Sequence, residues 1–205
     1  KIGKETSILL LSALLLRVTT YADKIIIFPI LGSHLVAVYY IATILGRIST
    51  LVFTPVSNVC LSYISSKNSQ NKLSFFRVLY ISGFISLLSY ILFNFLGEYI
   101  FKILYPLFVE SVLIYIPITL ATMGVNSISS LLNPFILKYF KLRWQVIINT
   151  IYVCIYLIIS LPLLKVGGLY GFCVGALITE IVKLLIIIFL YIIYDNRSKN
   201  LKSVK

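Results

Sequence analysis

LLLSALLLRVTTYADKIIIFPILGSHLVAVYYIATILGRISTLVFTPVSNVCLSY, from Leu9 to Tyr63, is the stretch that decides how the chain is read. It contains two apolar runs, each long enough to cross about 30 Å of hydrocarbon. A short turn at Gly32, Ser33 and His34 joins them. Yet Arg17, Asp23, Lys24 and Arg47 all lie inside the runs. On the second run Thr43, Arg47, Thr50, Thr54 and Asn58 recur at spacings of 4, 3, 4 and 4. At about 100° per residue these positions fall within roughly 80° of one another, a narrow polar stripe on an apolar rod. A charge at the bilayer centre costs about 2.5–3.5 kcal/mol even on the lenient insertion scale. Lipid cannot solvate such a stripe, so it must face protein or a water-filled cavity. The stretch reads as part of a transporter lumen.

Composition extends this reading to the whole chain. Hydrophobic residues make up 60% and charged residues 12%, and the mean hydropathy is +1.04. A soluble domain has roughly 45–50% apolar and about 25% charged residues. The expected class is therefore all-α, a polytopic membrane protein. A net charge of +12 invites a nucleic-acid partner, but the basic residues sit in short loops between apolar spans, so none is expected. Cys60, Cys154 and Cys173 are far apart inside apolar segments, with no CxxC and no nearby His. They read as buried thiols; no disulfide, metal or cofactor is expected. The chain starts at Lys1 without a signal-peptide pattern, as a piece of a longer polypeptide would.

Six spans are expected, at about 7–31, 35–63, 76–96, 111–137, 144–164 and 169–194. A polar loop from Ser65 to Ser74 and a mixed segment from Gly97 to Glu110 separate three of them. Lys1, Lys4, Lys67, Lys72, Arg77, Lys138, Lys141, Arg143, Arg197, Lys199, Lys202 and Lys205 fall on one side, against Lys102 and Lys165 on the other. That asymmetry puts both termini in the cytoplasm, as an even number of spans demands.

Counted from the span limits, Arg17, Arg47, Glu180 and Lys183 lie within roughly 3 Å of one plane at 1.5 Å per residue. Lys24 lies more than a turn further out. Glu180 and Lys183, at i and i+3, can satisfy each other, and Asp23 can partner an Arg. Arg17, Lys24, Arg47 and Lys183 still outnumber Asp23 and Glu180 by two. That surplus points to an anion as cargo, with the four cations as substrate-binding candidates and the two carboxylates as candidates for ion coupling. On the fourth span Thr119, Thr122, Asn126, Ser130 and Asn133 form a second stripe, either lining a lumen or gluing helices together. Thr43, Thr50, Asn58, Asn126 and Asn133 are the lumen-lining candidates. Pro29, Pro55, Pro117, Pro134 and Pro162 interrupt four spans, and Gly171 and Gly175 form a GxxxG packing face. Tyrosines near span ends, Tyr39, Tyr40 and Tyr191 among them, suit an interfacial belt.

Asp23-Lys24-Ile25-Ile26-Ile27 with Leu31-Gly32, then Val38-Tyr39-Tyr40-Ile41-Ala42, resembles the start of the C-terminal half of polysaccharide flippases. These belong with the multidrug/oligosaccharidyl-lipid/polysaccharide exporters. Ile103-Leu104-Tyr105 resembles their segment before the tenth helix, with Pro106 in place of a glycine. Gly168-Leu169-Tyr170-Gly171-Phe172-Cys173-Val174-Gly175-Ala176 resembles the opening of their twelfth. The likeness is greatest to O-antigen flippases. It implies one six-helix lobe of a twelve-helix exporter fold in the bacterial cytoplasmic (inner) membrane. It also implies a partner N-terminal six-helix lobe, a polyprenyl-pyrophosphate-linked oligosaccharide as cargo, and polysaccharide polymerase machinery nearby. No enzyme activity is expected. The alternatives are a multidrug exporter lobe of the same fold, or an integral-membrane polymerase or acyltransferase. Acidic lumen residues would favour the first; a large outer loop or a His/Asp cluster would favour the second, and His34 stands alone.

Overall fold

The computed structural model describes the backbone of residues 2–65, 75–140 and 143–203. Side chains are described over most of this range, with those of 2–9, 11–13, 15–20, 52, 61, 63–65 and 196–203 outside it. All the described elements are helical. They are α1 (Ile2–Ser65), α2 (Phe75–Leu104), a 3₁₀ turn (Pro106–Phe108), α3 (Val109–Leu113), α4 (Ile116–Tyr139) and α5 (Arg143–Ser203). Four helices are long and apolar enough to cross a membrane, within Tyr21–Cys60, Phe75–Leu104, Ile116–Tyr139 and Arg143–Asp195.

The two longest helices are not straight rods. Gly32 breaks the helical path of α1 with φ 79° and ψ 174°, and Gly168 breaks α5 with φ 58° and ψ −144°. In α1 the Tyr39 hydroxyl donates to Asp23 Oδ2 at 2.8 Å. On one continuous helix, residues 16 apart would be separated by about 24 Å. In α5 the Tyr152 hydroxyl reaches Glu180 at 2.7 Å across 28 residues, a path of about 42 Å if straight. Each helix therefore doubles back on itself, and each reversal turns on one glycine at a positive φ that other residues rarely adopt. A Cβ at either position would meet nothing within 4 Å, so backbone conformation, not crowding, requires glycine there.

Two internal boundaries differ from the sequence expectation. α2 continues through Gly97 to Leu104, because Gly97 is a packing site against Leu45 and Ile116 instead of a break. The fourth expected span, 111–137, is split at Ile114 and Tyr115, and Pro117 occupies the first turn of α4. A proline there lacks an N–H that would have no intrahelical partner anyway, so it starts the helix and does not kink it.

α4 is the central element and packs against α1, α2 and α5. Buried apolar residues form two separate cores. One, at the end bearing the Gly32 and Gly168 reversals, includes Ile27, Val38, Leu45, Phe101, Ile116 and Phe172. The other, at the opposite end, includes Phe53, Phe75, Leu132, Phe135, Ile148 and Ile187. The helix segments between them are small or polar. They carry Gly46, Arg47, Ser49 and Thr50 on α1; Ser82, Ser86 and Ser89 on α2; and Met123 to Ser130 on α4. On α5 the same level holds Asn149, Tyr152, Thr179, Glu180 and Lys183. The bundle thus has an apolar block at each end and a polar layer at mid-height.

Candidate functional site

The polar layer is built from close helix approaches. Added methyl groups on Gly46 and Gly124 would run into Met123 and the Ser86 hydroxyl, and Ser49 and Ser89 share a hydrogen bond of 2.7 Å. These contacts leave a crevice of about 10 Å³ lined by Gly46, Ser49, Ser86, Ser89 and Ser127, roughly the space of one water. It is a packing seam and too small for cargo.

The charged residues divide into three groups. Glu180, 3% exposed, sits where α4 meets both arms of α5. Its Oε1 accepts from Asn126 Nδ2 at 2.8 Å and from the Tyr152 hydroxyl at 2.7 Å. Lys183 Nζ lies 3.5 Å from Oε2 and 4.5 Å from the centre of the Tyr152 ring. A buried carboxylate is tolerable only when its lone pairs are satisfied, and these three partners do that. Lys183 is thus committed to a local pair, one of the two readings its spacing allowed.

Asp23 forms the second group. The Tyr39 and Tyr156 hydroxyls both donate to it, one to each carboxylate oxygen. Arg47 acts on it electrostatically, but the two form no ion pair within 4 Å. Tyr39 is therefore a buried ligand of this carboxylate and not a member of an interfacial belt.

The third group is cationic. Lys24 Nζ lies 4.4 Å from the centre of the Tyr40 ring, and the Arg47 guanidinium carbon lies 5.2 Å from the same point. The two positive charges are therefore within about 10 Å of each other, on opposite arms of the α1 reversal. Lys24 is also 5.8 Å from the Tyr21 ring. Both cations are partly exposed and Tyr40 is 41% exposed. Among the described residues neither forms an ion pair. Leu51, Thr54 and Asn58 continue the same exposed face along the second arm. The Arg17 side chain lies outside the described residues.

The remaining lumen candidates behave differently. Thr43 is wholly buried and donates to the Tyr40 carbonyl at 2.8 Å. Thr50 is bonded to the Arg47 carbonyl at 2.7 Å. Thr119 bonds the Ala42 carbonyl across the α1–α4 contact at 3.0 Å, and Thr122 bonds Ile118 of its own helix. Asn58 is exposed and Asn133 partly buried. Of the two threonine/asparagine stripes, the hydroxyls mostly bond back to backbone, and Asn126 alone among the named candidates reaches a charged side chain.

One polar stripe lies outside the sequence reading. Gln145, Asn149, Tyr152, Tyr156 and Ser160 are spaced 4, 3, 4 and 4 on the first arm of α5, and all are buried. The spacing criterion applied to the second and fourth spans also finds this one. Treating tyrosines as aromatic mass, and not as hydroxyls, hides it. Among the described residues no metal-binding group of His, Cys, Asp and Glu forms. No family model, no curated protein and no solved structure matches this chain.

Proposed function

We propose that the chain is one lobe of an exporter that moves an anionic amphiphile across the cytoplasmic membrane by alternating access. The cargo class is a polyprenyl-pyrophosphate-linked oligosaccharide. On this reading each arm of α1 and α5 crosses the bilayer separately, giving six spans with α2 and α4. Both termini then lie on the cytoplasmic side, and a second six-helix lobe faces the exposed stripe of the second α1 arm.

The observation that carries the reading is the pair of cations sharing the Tyr40 ring. Lys24 and Arg47 are neither paired with a carboxylate among the described residues nor fully buried. A cation left in this state within an apolar span calls for a counter-charge, and a pyrophosphate supplies one with several acceptor oxygens. Arg47 suits a phosphate through its fork of donors, and Lys24 adds a mobile point charge. Tyr40, Thr54 and Asn58 continue the face with groups that hydrogen-bond sugar hydroxyls. The polyprenyl tail stays in lipid, and no covalent step is required. A lobe for cationic drugs would instead present carboxylates, whereas Asp23 and Glu180 are both held by internal donors.

The test is Arg47→Ala in a strain whose surface polysaccharide depends on this protein. Losing one charge-assisted contact should lower surface polysaccharide about tenfold to a hundredfold, with unchanged protein in the membrane fraction. Unchanged polysaccharide at normal protein level removes the cationic site from the mechanism.

A further inference from the structure

A proline in a helix interior leaves one carbonyl without its usual donor, because it has no N–H to give to the residue four before it. In α4 that proline is Pro134, and the carbonyl is that of Ser130. It does not go unused. The Ser57 hydroxyl of the second α1 arm donates to it at 2.9 Å, across 73 residues of sequence. Such service from a neighbouring helix is what makes a proline tolerable within a span. Ser57 itself follows Pro55 by two residues, and Pro55 offers no N–H to the Leu51 carbonyl. On the same stretch the Thr50 and Thr54 hydroxyls bond back to the Arg47 and Thr50 carbonyls, a pattern that bends helices. α1 and α4 thus each carry a weakened turn at this level, and a hydrogen bond joins the two.

The surroundings of this bond give it weight. Nearer the Gly32 end, Gly46 lies so close to α4 that an added methyl group would strike Met123, and Thr119 donates to the Ala42 carbonyl at 3.0 Å. Toward the other end, Phe53 and Cys60 of α1 pack into an apolar core with Leu131, Leu132, Phe135 and Ile136 of α4. Lipid tails solvate such side chains about as well as protein does, so apolar contact alone does not keep two helices together in a bilayer. A carbonyl has no such substitute, because lipid offers it no donor. We propose that Ser57 and the carbonyl freed by Pro134 form a releasable catch between the second α1 arm and α4. Closed, it holds together the ends of the two helices that share the Phe53–Phe135 core. Open, the contacts at Gly46 and Thr119 remain as the pivot, and the two proline turns let those ends part. Pro134 is then an acceptor-maker for another helix and not simply a kink. A residue with an N–H in its place would return the Ser130 carbonyl to its own helix and leave Ser57 without its acceptor. The catch is set by the α1–α4 contact and not by the cargo, so it stands apart from the export reading.

The test is a spin-label distance measurement on the full-length protein in lipid nanodiscs, with Cys60, Cys154 and Cys173 replaced by alanine. The labels go on Val59→Cys of α1 and Lys138→Cys of α4, both exposed positions. The parent should give mainly one short distance. Ser57→Ala should raise the share of longer distances about threefold to tenfold, the equilibrium equivalent of one interhelical hydrogen bond. Ser57→Thr keeps a donor and should match the parent. Pro134→Ala should act as Ser57→Ala does, and Ser57→Ala added to Pro134→Ala should raise the longer distances no further. A Ser57→Ala distribution equal to the parent's overturns the proposal, and so does a Ser57→Thr distribution like that of Ser57→Ala. Single effects that multiply in the double variant overturn it as well, since the hydroxyl and the proline would then act independently. Where Pro134→Ala does not fold, the two Ser57 variants, which change one half-exposed side chain, decide the question alone.

Discussion

At the scale of single residues, what distinguishes the ionisable groups is their partners, not their depth. Lys24, Arg47 and Lys183 are equivalent in sequence as cations inside apolar spans, yet Lys183 faces Glu180 while the other two share the Tyr40 ring. The same holds for hydrogen-bonding groups on α4. Asn126 bonds a buried carboxylate of another helix, whereas the Thr122 hydroxyl bonds only Ile118 of its own. Asn126→Leu should therefore lower stability by about 1–3 kcal/mol, because it leaves a buried charge short of a donor. Thr122→Val should change it by less than about 0.5 kcal/mol. Denaturant unfolding in mixed micelles compares the two. Equal effects would mean that the Glu180 cluster contributes nothing beyond ordinary helix packing. The partner of Lys183 is legible from its i, i+3 spacing to Glu180. Those of Asp23 are not, because Tyr39 and Tyr156 reach it only after both long helices fold back.

At the scale of elements, single glycines set the two reversals, and small residues set how closely the arms then pack. In the α5 hairpin a methyl group on Gly171 would collide with the Leu163 carbonyl oxygen of the opposing arm, a backbone atom that cannot swing aside. Gly167 sits beside the turn with nothing within 4 Å of its would-be Cβ and no positive φ. Gly171→Ala should thus destabilise the fold by about 1–3 kcal/mol, as overpacking does. Gly167→Ala should be neutral or stabilising by up to about 1 kcal/mol, through the lost freedom of the unfolded chain. Thermal unfolding of the purified variants checks the ordering. A Gly171→Ala protein as stable as the parent would mean that the arms do not pack as described. The GxxxG spacing announces this contact, but its partner surface at Ser160 and Leu163 depends on where the chain turns.

At the scale of the whole molecule, topology is the quantity that most affects function. Four helices are long and apolar enough to cross a bilayer, and two of them reverse. If each arm crosses separately, the Gly32 turn, the 105–115 connection and the Gly168 turn all emerge on one face. Single-cysteine variants decide this on a background with Cys60, Cys154 and Cys173 replaced by alanine. His34→Cys, Leu107→Cys and Val166→Cys should all react with an impermeant maleimide added outside intact cells, and Ser69→Cys only after permeabilisation. Leu107 and Val166 are 93% and 88% exposed, so reactivity there reports on membrane position and not on burial in the protein. Were α1 and α5 to cross once each as continuous rods, His34 and Val166 would lie in hydrocarbon and stay unlabelled.

The sequence alone determined that the chain is helical and apolar enough for a bilayer, that turns fall at Gly32 and Gly168, and which spans carry charge. Those properties follow from local composition: run length, glycine placement and the cost of a charge in hydrocarbon act within a few residues. What only the tertiary structure decided is which charges remain uncommitted, how Tyr39, Tyr152 and Tyr156 gather around the carboxylates of Asp23 and Glu180, and that a polar layer parts two apolar cores. A hydroxyl on a helix reads the same whether it bonds its own carbonyl or a carboxylate on another arm, and only the fold brings that second partner within 3 Å.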